Sequence, residues 1–363
     1  MKILFVQKSK LGRYEMAAGY YFPVELARLG HDITVVAPTG GDATAFLNAG
    51  VKVTEIEAGA SWLGGLRRIA LSFRPEIVHV FIHAGCGLYP FVMRFGRSAP
   101  KFVLDIRSPL LRTGLLRKIV QIKNRLEIIG YSSIFTHSIE SGHTVIGDTR
   151  EMVLAPPGVD CSILPKLMGA KSEHGGIFKL VYVGSIDVKR QLDQMIRSVA
   201  LARQRVPLTL DLYGDGNAVA GLQEMVNAAG MQEYVHFKGK IARKSLFEII
   251  DGYHAGLSYI PRELYNAAPA LKTLEYLACG IPVIATDTDG NRMFVQDGKN
   301  GMLTGWTPEA FADGILRFAE GDVRLASPAE LRGGVAEYDW GNIVEKRLMP
   351  AYSELLADAS LTS

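Results

Sequence analysis

Two adjacent cations stand six residues past the strand-ending Val183 in Val183-Gly184-Ser185-Ile186-Asp187-Val188-Lys189-Arg190. An apolar run that ends on glycine and leads into a helix lets the backbone approach a ligand. Lys189 and Arg190 would sit badly at a helix N-terminus, whose dipole favours anions. A phosphate held between those cations and the backbone amides resolves the conflict; a solvated charge pair is the plain alternative. Gly184 and Ser185 line the same turn.

A second helix start lies at Ala268-Pro269-Ala270-Leu271-Lys272-Thr273-Leu274-Glu275, with Pro269 at the first helical position, where a missing N–H is tolerated. That placement predicts free amides at Ala270 and Leu271. Lys272 and Glu275 share a helix face. They form either an ion pair within the helix or a functional couple, Lys272 as a further phosphate cation and Glu275 as an acceptor for ribose hydroxyls.

In the first half, Gly12 follows the opening apolar run; a plain turn and close backbone approach to a ligand both fit. No G-x-G-x-x-G accompanies it, which argues against a dinucleotide cofactor. His79, Phe81 and His83 alternate along one strand and share a face. His79 reads as a satisfied core histidine, and His83, next to Ala84-Gly85, as a residue lining a cleft. Asp105 and Arg107 either face that cleft or pair internally. Asp287-Thr288-Asp289 has the D-x-D spacing of a divalent-metal site. It follows an apolar run where an Asp- and Gly-rich turn is expected anyway, so a turn is the reading and no metal is expected.

The elements that must position these residues are short β-branched runs: Ile3–Val6, Ile33–Ala37, Val51–Ile56, Ile77–Ile82, Phe102–Ile106, Ile134–Thr136 and Met152–Ala155. Amphipathic segments such as Ala17–Leu29 and Leu115–Ile129 separate them, the pattern of a parallel sheet covered on both faces. The pattern restarts at Leu180–Val183 and continues through Leu208–Tyr213, Val235–Phe237, Gly256–Tyr259, Pro282–Ala285 and Met302–Leu303. Helices fit at Leu192–Arg203, Val219–Ala229, Lys244–Ile250 and Leu271–Cys279. Two doubly wound α/β domains are expected, residues 1–165 and 177–340, joined through the Gly- and Pro-containing stretch Ser162–Gly176. Ligands gather at the carboxyl ends of such strands.

A chain of 363 residues has room for two such cores, and 40 Lys and Arg against 37 Asp and Glu leave a charge of +3, too small to indicate a nucleic-acid binder. The excess of basic over acidic residues is 7 in residues 1–170 and −4 in the remainder, so the halves face different partners. Cys86, Cys161 and Cys279 are odd in number, far apart and in no C-x-x-C spacing, so neither a disulfide framework nor a zinc site is suggested, and a cytoplasmic protein is expected. The N-terminal apolar run is too short for a signal peptide, and no stretch approaches a membrane span.

With these residues in hand, the sequence resembles the retaining, nucleotide-sugar-dependent glycosyltransferases of the GT-B fold, particularly family four. The resemblance is carried by Leu29-Gly30-His31-Asp32-Ile33-Thr34-Val35-Val36, Pro75-Glu76-Ile77-Val78-His79, Ala155-Pro156-Pro157-Gly158-Val159-Asp160 and Leu180-Val181-Tyr182-Val183-Gly184. The strongest stretch is Glu275-Tyr276-Leu277-Ala278-Cys279-Gly280-Ile281-Pro282-Val283-Ile284-Ala285-Thr286, followed by Asp297-Gly298-Lys299-Asn300-Gly301. The resemblance implies two Rossmann-like domains facing across a cleft, the first binding an acceptor and the second a nucleoside-diphosphate sugar. Gly184, Lys189 and Arg190 would grip the diphosphate, Glu275 the ribose, and Lys240-Ile241 the base. A C-terminal helix within 341–363 would cross back onto the first domain.

Three departures stand out. Ser185 replaces the arginine common after the glycine, and Lys272 is the candidate replacement charge. Ala267 stands eight residues before Glu275, where the family commonly has a second Glu. Phe81 stands nearest the family's histidine, with His83 as candidate substitute. The implied reaction is metal-independent hexosyl transfer with retention, UDP being the expected nucleotide. His83, Lys189 and Arg190 are the catalytic candidates, and the leaving diphosphate helps remove the acceptor proton. No cofactor beyond the co-substrate is implied. The basic, apolar segment 110–126 would either rest on an anionic membrane surface and bring in a lipid-linked or glycan acceptor, or be an ordinary surface helix. An epimerase, a phosphorylase and an inert sugar-nucleotide binder are the rival readings.

Overall fold

The computed structural model describes residues 1–12, 17–59, 61–94, 99–107, 126, 130, 137–140, 152–164, 166–167, 176–266, 268–321 and 325–357. The chain divides into two compact units, Met1–Gly158 with Trp340–Ser363, and Val159–Asp339.

Unit 1 is built on β1 (Lys2–Val6), β2 (Asp32–Pro38), β3 (Lys52–Ile56), β4 (Ile77–Phe81), β5 (Lys101–Ile106), β6 (His137–Glu140) and β7 (Met152–Leu154). All pair in parallel in the order β3-β2-β1-β4-β5-β6-β7. Alternate side chains enter opposite layers. Ile3 and Phe5 pack with Phe22, Trp340 and Tyr352, whereas Leu4 and Val6 pack with Trp62, Leu66 and Tyr89. A strand apolar on both faces has no side to give to water, which is why these runs read as continuous rather than alternating. The sixth strand lies at His137–Glu140, just beyond the expected Ile134–Thr136, which is outside the described residues, as is the expected helix Leu115–Ile129 apart from Leu126.

A buried polar relay ties the C-terminal segment to this sheet. The Tyr352 hydroxyl meets His79 Nδ1 at 2.6 Å, His79 Nε2 meets Asp105 at 3.0 Å, and Arg107 donates to Asp105 at 2.7 Å and to the Ala155 carbonyl at 2.7 Å. Burial lowers the His79 pKa against the pull of Asp105, so the ring is neutral. Burial also works to raise the Asp105 carboxyl, but Arg107 and His79 outweigh it and hold it below the ordinary value. His79 is therefore the satisfied core residue expected, and Asp105 and Arg107 form the internal pair.

Unit 2 is built on β8 (Phe178–Val183), β9 (Leu208–Tyr213), β10 (Val235–Gly239), β11 (Ala255–Ser258), β12 (Val283–Thr286) and β13 (Gly301–Thr304). Its parallel order is β10-β9-β8-β11-β12-β13. Both ends of this unit are clasped together: the Val159 amide donates to the Tyr338 carbonyl at 2.9 Å and the Cys161 amide to the Asp339 carboxylate at 3.0 Å. In each sheet the winding reverses beside the first strand, between β1 and β4 and between β8 and β11. The carboxyl ends of those strands form the crevice in which open α/β sheets hold ligands. No helix among the described residues is long and apolar enough to cross a membrane. The basic segment 110–126 lies outside the described residues apart from Leu126.

Candidate functional site

β8 runs out at Val183 and the chain turns at Gly184, whose φ is +148°. Gly214, at the end of neighbouring β9, is equally constrained, because a β-carbon there would lie 1.8 Å from the Gly184 carbonyl oxygen. The two turns are stitched by backbone bonds from Gly184 to Tyr213 and from Ile186 to Asp215. Glycine at 214 lets them approach so closely, and glycine at 184 suits the positive φ of the turn.

The helix Leu271–Ala278 brings a cation to this turn. Lys272 Nζ lies 3.3 Å from where a Gly184 β-carbon would be, donates to the Tyr182 hydroxyl at 3.1 Å and sits 4.3 Å from the centre of that ring. Tyr182 in turn donates to the Ser185 carbonyl at 3.0 Å. Burial pushes the Tyr182 hydroxyl up to about 12, so it stays a donor to Ser185 and an acceptor for the ammonium. Burial and the neighbouring Arg190 pull Lys272 down to about 7, with Glu275 acting the other way. Arg190 reaches Ser185 Oγ at 3.3 Å and stacks over the Tyr265 ring at 4.6 Å. Among the described residues neither Lys272 nor Arg190 forms an ion pair with a carboxylate. Two cations held together in that way are an electrostatic cradle for an anion.

Gly184, Ser185, Arg190 and Lys272 therefore converge. The ammonium of Lys272 goes to Tyr182 and not to Glu275, so the plain ion-pair alternative does not form; Glu275 lies half-buried one turn further along the helix. Lys189 is exposed and bonds none of these groups. The two cations stand in a separate 3₁₀ turn, Val188–Arg190, and the next helix begins only at Leu192 after Gln191 in the left-handed region. The expected free amides need correction. Ala270 caps the helix, its amide faces the Gly290 carbonyl at 3.5 Å, and the Leu271 amide donates to the Pro269 carbonyl at 3.1 Å. Among the described residues the Lys272 amide has no backbone partner outside its own helix. Lys240 pairs with Asp215 at 3.1 Å beyond β10, and Ile241 packs on the core there.

Residues that the spacing did not reveal hold the helix in place. The Val183 amide donates to the Tyr276 hydroxyl at 2.8 Å, closing the end of β8 against the helix. Behind it, fully buried Ser258, Thr273 and Asn291 bond one another at 2.8–2.9 Å, and the Asn291 amide donates to the Thr286 carbonyl at 2.8 Å. Small polar residues at the carboxyl ends of β11 and β12 and in the helix are the signal that could have found this network. Asp287-Thr288-Asp289 is a helix start: Arg292 pairs with Asp287, and Thr288 accepts the Asn291 amide at 3.2 Å.

In unit 1, Gly12 borders a recess of about 40 Å³ lined by Gln7, Lys10, Tyr20, Asp42 and Phe46. His83 follows β4 with both ring nitrogens engaged. Nδ1 donates to the Ala84 carbonyl at 2.9 Å, and Nε2 accepts from the Tyr89 hydroxyl at 2.9 Å, itself bonded by the Trp62 indole at 2.7 Å. Burial lowers the His83 pKa, and the Ala84 bond fixes which nitrogen holds the proton. Phe81 is buried against Phe5 and His79. Ala267 lies outside the described residues.

A family profile described as "Glycosyl transferases group 1" matches residues 177–320. The GtfA subunit of a UDP-N-acetylglucosamine--peptide N-acetylglucosaminyltransferase of Streptococcus parasanguinis is 29% identical over 47% of this chain and 34% of its own. A GDP-mannose-dependent phosphatidylinositol monomannoside mannosyltransferase of Mycolicibacterium smegmatis is 28% identical over 64% of this chain and 61% of its own. The chain thus spans about a third of the length of the streptococcal relatives it matches. Among solved structures, a Rickettsia africae glycosyltransferase superposes with a TM-score of 0.75 at 13% identity over 98% of both chains. Anabaena HepE, in complex with UDP and glucose, does so with 0.73 at 17% identity over 98% of this chain and 100% of that one. Whole-chain likeness of fold gives the chain the GT-B fold, and residues 177–320, which hold the glycine turn and the cation helix, match the group 1 glycosyltransferases.

Proposed function

We propose that the protein transfers a hexose from a nucleoside-diphosphate sugar, with UDP as the nucleotide, to an acceptor hydroxyl on a glycan, lipid-linked or small-molecule acceptor, with retention and without a metal. The observation that carries this reading is the Gly184 turn with the Lys272 ammonium above it and Arg190 beside it. That arrangement stabilises the negative charge that grows on a leaving diphosphate. Lys272 supplies from the helix the charge that Ser185 lacks. Glu275 accepts from the ribose, and the segment at Lys240 and Ile241 flanks the base. With both His83 nitrogens engaged, removal of the acceptor proton falls to the leaving diphosphate, and His83 with Gly12 shapes the acceptor side. The relatives support the donor class, since their names and ligands include UDP- and GDP-linked sugars.

Incubation with UDP-glucose, UDP-galactose, UDP-N-acetylglucosamine and GDP-mannose tests the reading, by assay of released nucleoside diphosphate. Release dependent on an added acceptor is expected. An epimerised donor without release, or no binding of any of the four, would overturn it.

The Lys272 pKa sets a pH dependence with a definite sign. Below about 7 the ammonium is already charged and donor affinity is flat. Above it, binding an anion must draw in a proton, so the affinity for UDP-glucose should fall up to tenfold per pH unit until the pKa of the bound state is reached. Calorimetry at pH 8 in buffers of different ionisation enthalpy should register proton uptake, and Lys272→Arg should abolish both uptake and slope.

A further inference from the structure

The turn after β12 carries a carboxylate that the diphosphate cradle does not use. Asp289 is exposed, and its Oδ2 accepts the Asn266 side-chain amide at 2.6 Å. Asn266 also takes the Asp289 amide on its Oδ1 at 3.4 Å and the Gly290 amide on its backbone carbonyl at 2.8 Å. The two segments lie so close that a β-carbon on Gly290 would be 1.9 Å from the Ala268 carbonyl oxygen. Beneath them sits the buried Asn291, bonded to Ser258, Thr273 and the Thr286 carbonyl. Asp289 is therefore mounted on a rigid base, as a recognition group must be.

Its charge is met only in part, since Arg292 feels it through space without bonding it. Arg292, the nearest cation in sequence, donates to Asp287 at 2.7 Å. Asp289 Oδ1 makes no hydrogen bond among the described residues. The pair is also placed beside the cradle: Asn266 directly follows Tyr265, whose ring carries the Arg190 guanidinium at 4.6 Å. Ala270, the cap of the helix that bears Lys272, faces the carbonyl of Gly290. A carboxylate on the segment that meets the cap of the cation helix repels phosphate and is useful there only to a ligand that donates hydrogen bonds. An ionised Asp accepts and never donates, and its charge-assisted bonds to hydroxyls are the strong kind.

We infer that Asp289, oriented by Asn266, accepts hydrogen bonds from the ring hydroxyls of the donor hexose and so sets which sugar is carried. This rests on donor binding at Gly184 and Lys272 as proposed above. Asp289 is the specificity residue and Asn266 a positioning residue.

The test compares UDP with UDP-glucose and UDP-galactose, which differ at one hydroxyl, by calorimetry on the full chain. In Asp289→Ala the affinity for UDP should stay within threefold of the unaltered protein, while that for the preferred UDP-hexose falls about tenfold or more and discrimination between the epimers shrinks toward one. Asp289→Asn, which keeps an oxygen for Asn266, should lose less, and Asn266→Ala should lower the hexose contribution while sparing UDP. If both ligands weaken equally in Asp289→Ala, or the ratio of UDP-hexose to UDP affinity is unchanged, the residue is structural and the inference fails while donor binding stands. Failure of the unaltered protein to bind any of the three sinks both.

Discussion

Replacing Arg190 by Ala and Lys272 by Met together should weaken UDP binding at least about a hundredfold. Hydrogen bonds to charged groups contribute about 1.5–3 kcal/mol each, and each ~1.4 kcal/mol is a factor of ten in affinity. Both cations address one diphosphate, so the two losses compound. Folding should survive. Lys272→Met removes a half-buried ammonium that has no carboxylate ion pair among the described residues and leaves an apolar stem of similar shape over the Tyr182 ring. Arg190 lies in a half-buried turn outside the core. Exposed Lys189 provides the comparison, and Lys189→Ala should change the affinity less than threefold. Calorimetry with UDP decides the matter: retention of normal binding by the double variant would remove the basis of the donor assignment.

Asp105→Ala should destabilise unit 1 by about 3–5 kcal/mol, because it strips one member from a buried pair and leaves the other charge uncompensated. His79 then loses its Nε2 partner in a site fully closed to bulk solvent. For a unit of this size the change corresponds to a fall of about 10 °C in melting temperature, visible by scanning calorimetry. Acid should act in the same direction. The His79 pKa lies below its ordinary 6.5 when folded, so stability drops as pH falls from 6.5 toward the folded value. Asp105, also lowered, adds a loss at still lower pH, as its carboxylate is finally protonated. A melting temperature of unit 1 that does not move between pH 7 and pH 5 would show that the relay does not bear on stability.

The central strands β1, β4, β8, β11 and β12 were legible because each is a near-continuous apolar run of a parallel sheet, and the glycine turn after β8 because it ends one; β6, His137–Glu140, carries no such run. The same patterning recovered the helix Leu192–Arg203 to the residue. The site was legible only where its parts are neighbours in sequence. Spacing pairs Lys272 with Glu275, three residues away, and is blind to Tyr182, 90 residues earlier, whose ring and hydroxyl capture the ammonium. The Ala270 amide looked available because the carbonyl that faces it belongs to Gly290, in another turn. His83 looked like a reactive imidazole beside Gly85. Its tautomer is set by Ala84 and Tyr89, and that a hydroxyl six residues on would turn back to Nε2 is not written in periodicity.

The clasp at Val159 and Asp339 makes unit 2 an uninterrupted insert whose two ends meet, whereas unit 1 is assembled from pieces on either side of it. Such an arrangement permits unit 2 to be exchanged between homologues as a single genetic cassette, spliced at 158/159 and 339/340. The host half cannot be obtained by simple truncation, since every cut upstream of Tyr352 strips His79 of its phenol. New pairings of the two units could therefore arise by one recombination event, without rebuilding either core.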